Sequence, residues 1–379
     1  MDFKLDEVEE MVQRTAYQFA MKELAPRADQ ADDEKEFCRE SIELLGRHGY
    51  LGIMIPEEYE GEGMSSFHYV LVKEQMARAC LSTAAILGAH NLAVYCIRLM
   101  GNEEQKARYF PSMACGDRIG AFALTEANTG SDVAAIATTA IREDSHYVIN
   151  GSKQFITNGG VANLVVVFAK TDRSQGHRGI SAFLVEKEAH GFLVAKEENK
   201  MGIRGTSTGE LVFDNCRVPE QNRLGEEGAG FKLAMMVLDR ARPSIGAQAV
   251  GLAQAALDMA MNYAKDRVVF GQPVSEYQAT RFAFADMATR LEAARLMTYR
   301  AAKLAEQGEG RFSKESAMAK LYASETAHFV VDRALQIHGG YGYMKDYPIE
   351  RLYRDQRILE IYEGTSEIQR LIISGHLLK

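Results

Sequence analysis

Apolar residues recur along this chain with two different periods, and the change of period divides it into three parts. Val8, Met11, Val12 and Phe19 fall at helical spacing with charged residues between them, which predicts an N-terminal helix. Ser41 to Tyr50 and Tyr69 to Met76 repeat the pattern on either side of a polar, glycine-containing loop at 57–63, and Asn91 to Met100 predicts a further apolar helix. Asn102-Glu103-Glu104-Gln105 reads as a capping sequence that opens the next one. From about Ile119 the period shortens. Tyr147-Val148-Ile149, Leu164 to Phe168 and Ile180 to Val185 are short β-branched or aromatic runs, with turn chemistry at Asn150-Gly151 and Asn158-Gly159-Gly160. Strands with no intervening helix predict an antiparallel barrel or sandwich. After Gly230 the helical period returns in Ile245, Ala249, Leu252, Ala256, Met259 and Tyr263, in Phe284, Met287, Leu291 and Ala294, and in Tyr322 to Ile337. Small residues in "AARLMTYRAAKLA" favour close helix packing, so a bundle is expected. The fold class is therefore mainly α with a central β-domain: helical residues 1–118, a β-domain at 119–228 and a helical bundle at 229–379.

Composition narrows the class without fixing the chemistry. The 379 residues are 46% hydrophobic and 25% charged, ordinary for a globular protein. The net charge is −8 with no basic block, which argues against a nucleic-acid partner. No run of eighteen apolar residues occurs, so no transmembrane helix and no membrane partner are expected. Met1-Asp2-Phe3-Lys4-Leu5-Asp6-Glu7 mixes charges and lacks the apolar stretch of a secretory signal. The five cysteines have no CxxC spacing, so neither a zinc site nor a disulfide framework is expected. Reduced thiols suit a cytoplasmic location.

Familiar cofactor loops are missing. Gly61-Glu62-Gly63 and Gly228-Ala229-Gly230 lack the third glycine and the βαβ context of a Rossmann motif. His90 and His338 stand alone and receive no ligand role. In "FALTEANTGSD", Thr125, Thr129, Gly130 and Ser131 put hydroxyls and a flexible backbone in one loop, suited to a phosphate or a polar-edged ring, or to an ordinary hairpin. In "NGSKQFITNGG", Phe155 stands beside Ile156 and Thr157, which suits a planar cofactor or a sheet packed on a helix. In "IYEGTSEIQR", Glu363 precedes Gly364 and reads as a solvated acid or as a base.

Together with "RVVFGQPVSEYQ" and "LQIHGGYGY", these stretches stand in the order and spacing of the acyl-CoA dehydrogenase family. The chain resembles that family along its whole length, and above all its short-chain (butyryl-CoA) branch. The resemblance implies an α-domain, a β-domain and a four-helix bundle, with FAD between the last two. It implies that Phe122, Leu124, Thr125, Gly130 and Ser131 line the flavin and its pyrophosphate, and that Phe155, Ile156 and Thr157 contact the ring system. Ser131 is also implied at the substrate. Arg267, Phe270, Gln278, Gln336, Gly339 and Gly340 resemble residues that reach the FAD of a neighbouring subunit. Taken singly, Arg267 could equally be a surface ion pair and Gly339-Gly340 a helix cap.

The implied reaction is α,β-dehydrogenation of an acyl-CoA: a base takes the α-proton and the β-hydrogen leaves as hydride. The family keeps its base in the "YEGT" segment, here Glu363, or on the "LDRARPSIG" helix at the position that here is Ala241. Alanine cannot serve, so the base falls on Glu363. Gly364 then stands at the substrate, with Thr365, Ser366 and Glu367 near the FAD. Asp239 and Arg242 resemble substrate-side residues, although Arg242 could be only an ion pair to Glu360 or Asp239. Two departures stand out: Ala127-Asn128 replaces a common proline, and Phe155 replaces a common tryptophan. No arginine occurs in "LSTAAILGAH", where a glutaryl-CoA enzyme would pair a distal carboxylate. A short unbranched acyl chain is the expected substrate, with a branched or alicyclic acyl-CoA such as cyclohexanecarboxyl-CoA as the alternative. A binding or assembly protein on the same fold is the reading from another class. The resemblance also implies electron-transfer flavoprotein as acceptor and a homotetramer.

Overall fold

The structure is a computed structural model. It describes residues 4–307 and 312–378; Met1, Asp2 and Phe3 of the N-terminal stretch lie outside them. The first part is helical: α1 (Glu7–Phe19), α2 (Ala25–Glu34), α3 (Arg39–Arg47), α4 (Ser66–Ala79), α5 (Leu81–Met100) and α6 (Glu103–Cys115). The capping sequence behaves as expected: Asn102 accepts from Gln105 N while the Gln105 side chain returns to Asn102 N. In α1 the buried face differs from the expected one. Val12, Ala16 and Ala20 are buried, whereas Val8 and Met11 are about half exposed, at 52% and 51%. The inward stripe runs from Glu9 to Val12 by a step of three and on to Ala16 and Ala20 by steps of four, and Lys303 neutralises the buried Glu9 carboxylate.

α5 is long and apolar enough, over 20 residues, to cross a membrane by length and composition, yet 83% of that window is buried inside the protein. Asn158 Nδ2 ties α5 to the β-domain by donating to Ile86 O at 3.1 Å and Gly120 O at 3.0 Å.

The middle part comprises β1 (Gly120–Ala123), β2 (Thr139–Glu143), β3 (His146–Thr157), β4 (Leu164–Lys170), β5 (Ile180–Glu186), β6 (Phe192–Glu197), β7 (Thr208–Pro219) and β8 (Arg223–Leu224). They form one sheet in the order β6-β7-β3-β2-β4-β5-β8, with β1 added beside β4. The pairing is antiparallel except for β1 with β4 and β2 with β4. Asn150-Gly151 is not a turn, since β3 runs through it; a bulge there is accommodated by Gly151 at φ +147°. Alternate residues of β4 serve two cores. Leu164, Val166 and Phe168 join the helical core, while Val165, Val167 and Ala169 join the core enclosed by the sheet. Burial on both faces explains why these strands read as continuous apolar runs.

The last part contains α7 (Gly230–Asp266), a two-stranded hairpin of β9 (Val268–Val269) and β10 (Gln272–Pro273), α8 (Gln278–Gln307), α9 (Ser313–His338), α10 (Ile349–Gln356) and α11 (Ser366–Leu377). α7 runs for 37 residues and contains Pro243 in its interior. It packs on α4, α5, α8 and α9, so it links the N-terminal helices to the bundle. This helical–sheet–helical order is the architecture the sequence pattern predicts.

Candidate active site

The sequence-predicted residues gather into three groups. The first is the loop after β1 with the end of β3. Glu126 turns the loop by pairing its backbone with Thr129, and its carboxylate accepts from Ala137 N at 2.6 Å and Thr138 N at 3.1 Å. Lys153 of β3, fully buried, donates to Glu126 Oε1 at 2.8 Å and Leu124 O at 3.0 Å. Burial pulls the Lys153 ammonium down to about 8 against the pull of Glu126. Gln154 N donates to Thr125 O at 2.9 Å, a second tie between loop and strand. Leu124 and Ile156 are buried, Phe122 packs on Phe168, and Gly130 and Ser131 are exposed. A Cβ on Gly130 would meet nothing within 4 Å, and the buried Thr129 Oγ1 has no hydrogen-bond partner. The bulge between Lys153 and Ile156 presents Phe155 at φ +58° with 63% of its surface exposed, and Thr157 ends the strand. An exposed aromatic in the left-handed region is held against both solvent and backbone preference.

The second group surrounds Glu363. The residue itself stands at φ +52° and Gly364 at +95°, so two successive residues occupy the left-handed region. Gly364 O accepts from Lys320 Nζ at 2.7 Å and Gln369 Nε2 at 2.8 Å, which fixes the turn. Glu363 keeps some exposed surface as a residue, yet its Oε2 is sealed from solvent and has no hydrogen-bond partner. Burial pushes the carboxyl up to about 7; Lys73, Lys320 and Arg242 pull the other way. Burial likewise lowers Lys320 to about 8 and brings Arg242 down from its ordinary value. Arg242 is buried and pairs with Asp239; Glu360 instead faces His328 and Arg357. Asp239 also receives the Ser313 hydroxyl, and its backbone oxygen accepts from Ser316 at 2.8 Å. Tyr362 donates to Gln248 Oε1 at 2.5 Å, leaving Gln248 Nε2 without a partner. Thr365 caps α11 by accepting from Ile368 N, Ser366 is buried with an unpartnered Oγ, and Glu367 is exposed.

The third group is remote from the second. Arg267 lies 25 residues beyond Arg242 along α7, about 37 Å at 1.5 Å rise per residue. Arg267, Gly339 and Gly340 line one surface cavity of about 440 Å3 together with Tyr341, and the Arg267 guanidinium stands 5.6 Å from the Tyr341 ring centre. Phe270 at the hairpin tip is 100% exposed at φ +46°. Gln278 and Gln336 are exposed nearby in sequence, at the start of α8 and near the end of α9. Cβ atoms on Gly339 and Gly340 would meet nothing within 4 Å.

Sequence reasoning missed Lys73, Lys320 and Gln248 around Glu363, and the Lys153–Glu126 tie. The two charges of that tie lie inside the quoted motifs and could have been read as a pair. Of the histidines left aside, His90 Nδ1 accepts from Gly120 N at 3.1 Å and His338 Nδ1 meets Ala334 O at 2.7 Å.

A helical–sheet–helical chain that encloses an unpartnered carboxylate matches a known enzyme class: the chain belongs to the acyl-CoA dehydrogenase family. The family's N-terminal domain matches residues 6–117, its middle domain residues 121–216 and its C-terminal domain residues 228–378. Among its relatives, an acyl-CoA dehydrogenase of Bacillus subtilis (strain 168) is 49% identical over 97% of this chain and 97% of its own. An acryloyl-CoA reductase (NADH) of Anaerotignum propionicum is 48% identical over 100% of this chain and 96% of its own. The butyryl-CoA dehydrogenase structure from Megasphaera elsdenii superposes with a TM-score of 0.97 at 42% identity, covering 100% of both chains.

Proposed function

We propose that this protein dehydrogenates a short acyl-CoA thioester to the trans-2-enoyl-CoA, with Glu363 as the base that takes the α-proton and FAD as cofactor. The carrying observation is the sealed, partnerless Oε2 of Glu363 and its raised pKa. A carboxylate that burial has made more basic is a better match to a weakly acidic C–H than a solvated one. Lys320 and Arg242 hold it from becoming too weak an acid, so it can still ionise near neutral pH. Lys320 and Gln369 also clamp Gly364 O, which keeps the Glu363 backbone from swinging away from the thioester. Asp239 and Arg242, joined as a pair, stand at the substrate side of α7.

The residues present fit a flavin. Open space over Gly130, Gly339 and Gly340 admits close approach, the partnerless Thr129 and Ser366 hydroxyls await acceptors or donors, and Phe155 and Phe270 offer exposed faces. Phe122, Leu124, Thr125, Gly130 and Ser131 with Phe155, Ile156 and Thr157 hold it from the sheet, and Thr365, Ser366 and Glu367 from α11. When bound, FAD supplies the acceptor for the β-hydrogen, which leaves as hydride. Arg267, Phe270, Gln278, Gln336, Gly339 and Gly340 serve the FAD of a second copy in a homotetramer; the 37 Å or so along α7 that parts them from Arg242 supports this. Electron-transfer flavoprotein as acceptor, a cytoplasmic location and division at 118/119 and 228/229 complete the reading. In the reductive direction the same Glu363 carboxyl returns the proton.

Anaerobic addition of butyryl-CoA is expected to bleach the flavin absorbance. Glu363→Gln should retain FAD and bleach about 10⁴-fold more slowly. Absence of bleaching by every acyl-CoA tested would favour the binding or assembly reading; equal rates in the variant would remove Glu363 from its role.

A further inference from the structure

The five cysteines do not share one setting. Cys96 and Cys216 are buried, and burial alone pushes both thiols up, Cys216 to about 11. Cys115, at the end of α6, is exposed. Cys38 and Cys80 instead meet each other in the helical core, although one precedes α3 and the other stands between α4 and α5. The Cys38 thiol donates to the Cys80 sulfur. The Thr83 hydroxyl, in the first turn of α5, donates to Cys80 Sγ at 3.3 Å and is within hydrogen-bond reach of Cys38 as well. One hydroxyl therefore touches both sulfurs.

The backbone holds the two residues in place. Cys38 N donates to Gly205 O at 3.0 Å and Cys38 O accepts from Ile42 N at 3.1 Å; Cys80 N donates to Met76 O at 2.8 Å and Cys80 O accepts from Ala84 N at 3.2 Å. Gly205 makes room for the contact. A Cβ there would lie 2.7 Å from Cys38 Sγ and 3.2 Å from Ser82 Cβ, wedged between Cys38 and the start of α5. The two thiols are also unlike. Cys80 is the N-cap residue of the 20-residue α5, where free N–H groups favour an anion, and Arg351 of α10 adds a positive charge. Donation from Cys38, then from Thr83, draws the Cys80 thiol below its ordinary range against the effect of burial. The same contact with Cys80, followed by burial, pushes the Cys38 thiol up. The pair thus consists of a nucleophilic sulfur and a protonated neighbour.

We propose that Cys38 and Cys80 are a redox-active dithiol that hydrogen peroxide converts to an intramolecular disulfide, stapling the start of α3 to the α4–α5 junction. The Cys80 thiolate attacks one peroxide oxygen, the O–O bond breaks, and the departing hydroxide takes a proton to become water. Cys38 sulfur then attacks the Cys80 sulfenic acid: the S–S bond forms, the S–O bond breaks, and a second water leaves with the Cys38 proton. The two sulfurs lose two electrons in all, and the peroxide gains them. The residues keep 7% and 6% of their surface accessible, which suits an oxidant as small as peroxide. Neither belongs to the Glu363 pocket, so this inference stands apart from the proposed reaction.

The test treats the FAD-loaded protein with hydrogen peroxide. Thiols titrated after unfolding should fall from five to three, and mass spectrometry should find the Cys38 and Cys80 peptides linked. Tm should rise by about 5 °C and return on adding dithiothreitol, because the bridge restricts the unfolded chain between positions 38 and 80. Cys38→Ser should stop at a Cys80 sulfenic acid that dimedone traps, with no rise in Tm. Loss of Cys115 while Cys38 and Cys80 stay reduced would overturn the proposal, whether or not the variant folds. So would wild-type Cys80 passing unbridged to sulfinic acid. A bridge that leaves Tm unchanged would overturn the staple.

Discussion

The Glu363 pocket and the Arg267 face carry charges of similar kind in opposite settings. Around Glu363, cations and carboxylates are enclosed, and burial moves the proton affinities of Lys73, Lys320, Arg242 and Glu363. At the Arg267 face, the guanidinium, Phe270, Gln336, Gly339 and Gly340 all stand in solvent. One region encloses its charges inside a single chain and holds the Glu363 carboxyl above its usual range. The other keeps a wholly exposed aromatic on a strained hairpin tip, an arrangement that makes sense as half of a contact.

Three measurements bear on that contrast. The largest effect is expected from Arg242→Met, which leaves Asp239 without its cation. Chemical denaturation should show a loss of about 2 kcal/mol, below the range for a fully buried pair because Asp239 keeps 25% of its side chain exposed. An unchanged midpoint would mean that the pocket is not electrostatically enclosed. Arg267→Ala should leave apoprotein stability within about 0.5 kcal/mol, yet weaken FAD retention about tenfold on gel filtration. Unaltered FAD retention would make the Arg267 face a bystander. The smallest effect is the pH profile. As the proposed base Glu363 must be ionised, and burial raises its pKa to about 7, so activity is expected to fall as pH drops through that value. kcat/KM should rise about tenfold per pH unit below 7 and level off above it. A plateau extending down to pH 5 would contradict the enclosure of Glu363.

The order of helices and strands was legible because amphipathic periods of 3.6 and 2 survive in single segments, and the Asn102 cap was legible because its partner is three residues away. The candidate site was legible only where motifs are contiguous. Lys73 is separated from Glu363 by 290 positions and sits in a helix among Val72, Glu74 and Gln75, where a lysine reads as a solvated charge. Its burial follows from α4 being covered by α1, α5, α7 and α8, which no local pattern encodes. The same holds for Lys320 on α9. Val8 and Met11 show the converse error: apolar spacing identified the helix but not which of its faces turns inward.

The division of β4 between two cores has a consequence for how the molecule comes apart. Val166 and Val165 are chain neighbours, but one is packed by helices and the other by the sheet's own interior. Melting either core alone would bare one face of the same strand to water while its hydrogen bonds to β1 and β5 still held. The strand acts as a shared wall, so damage on one side is felt structurally on the other. The expected consequence is that the middle and flanking parts unfold together, and that a flavin held by the sheet, as proposed, also stabilises the helices around Glu363.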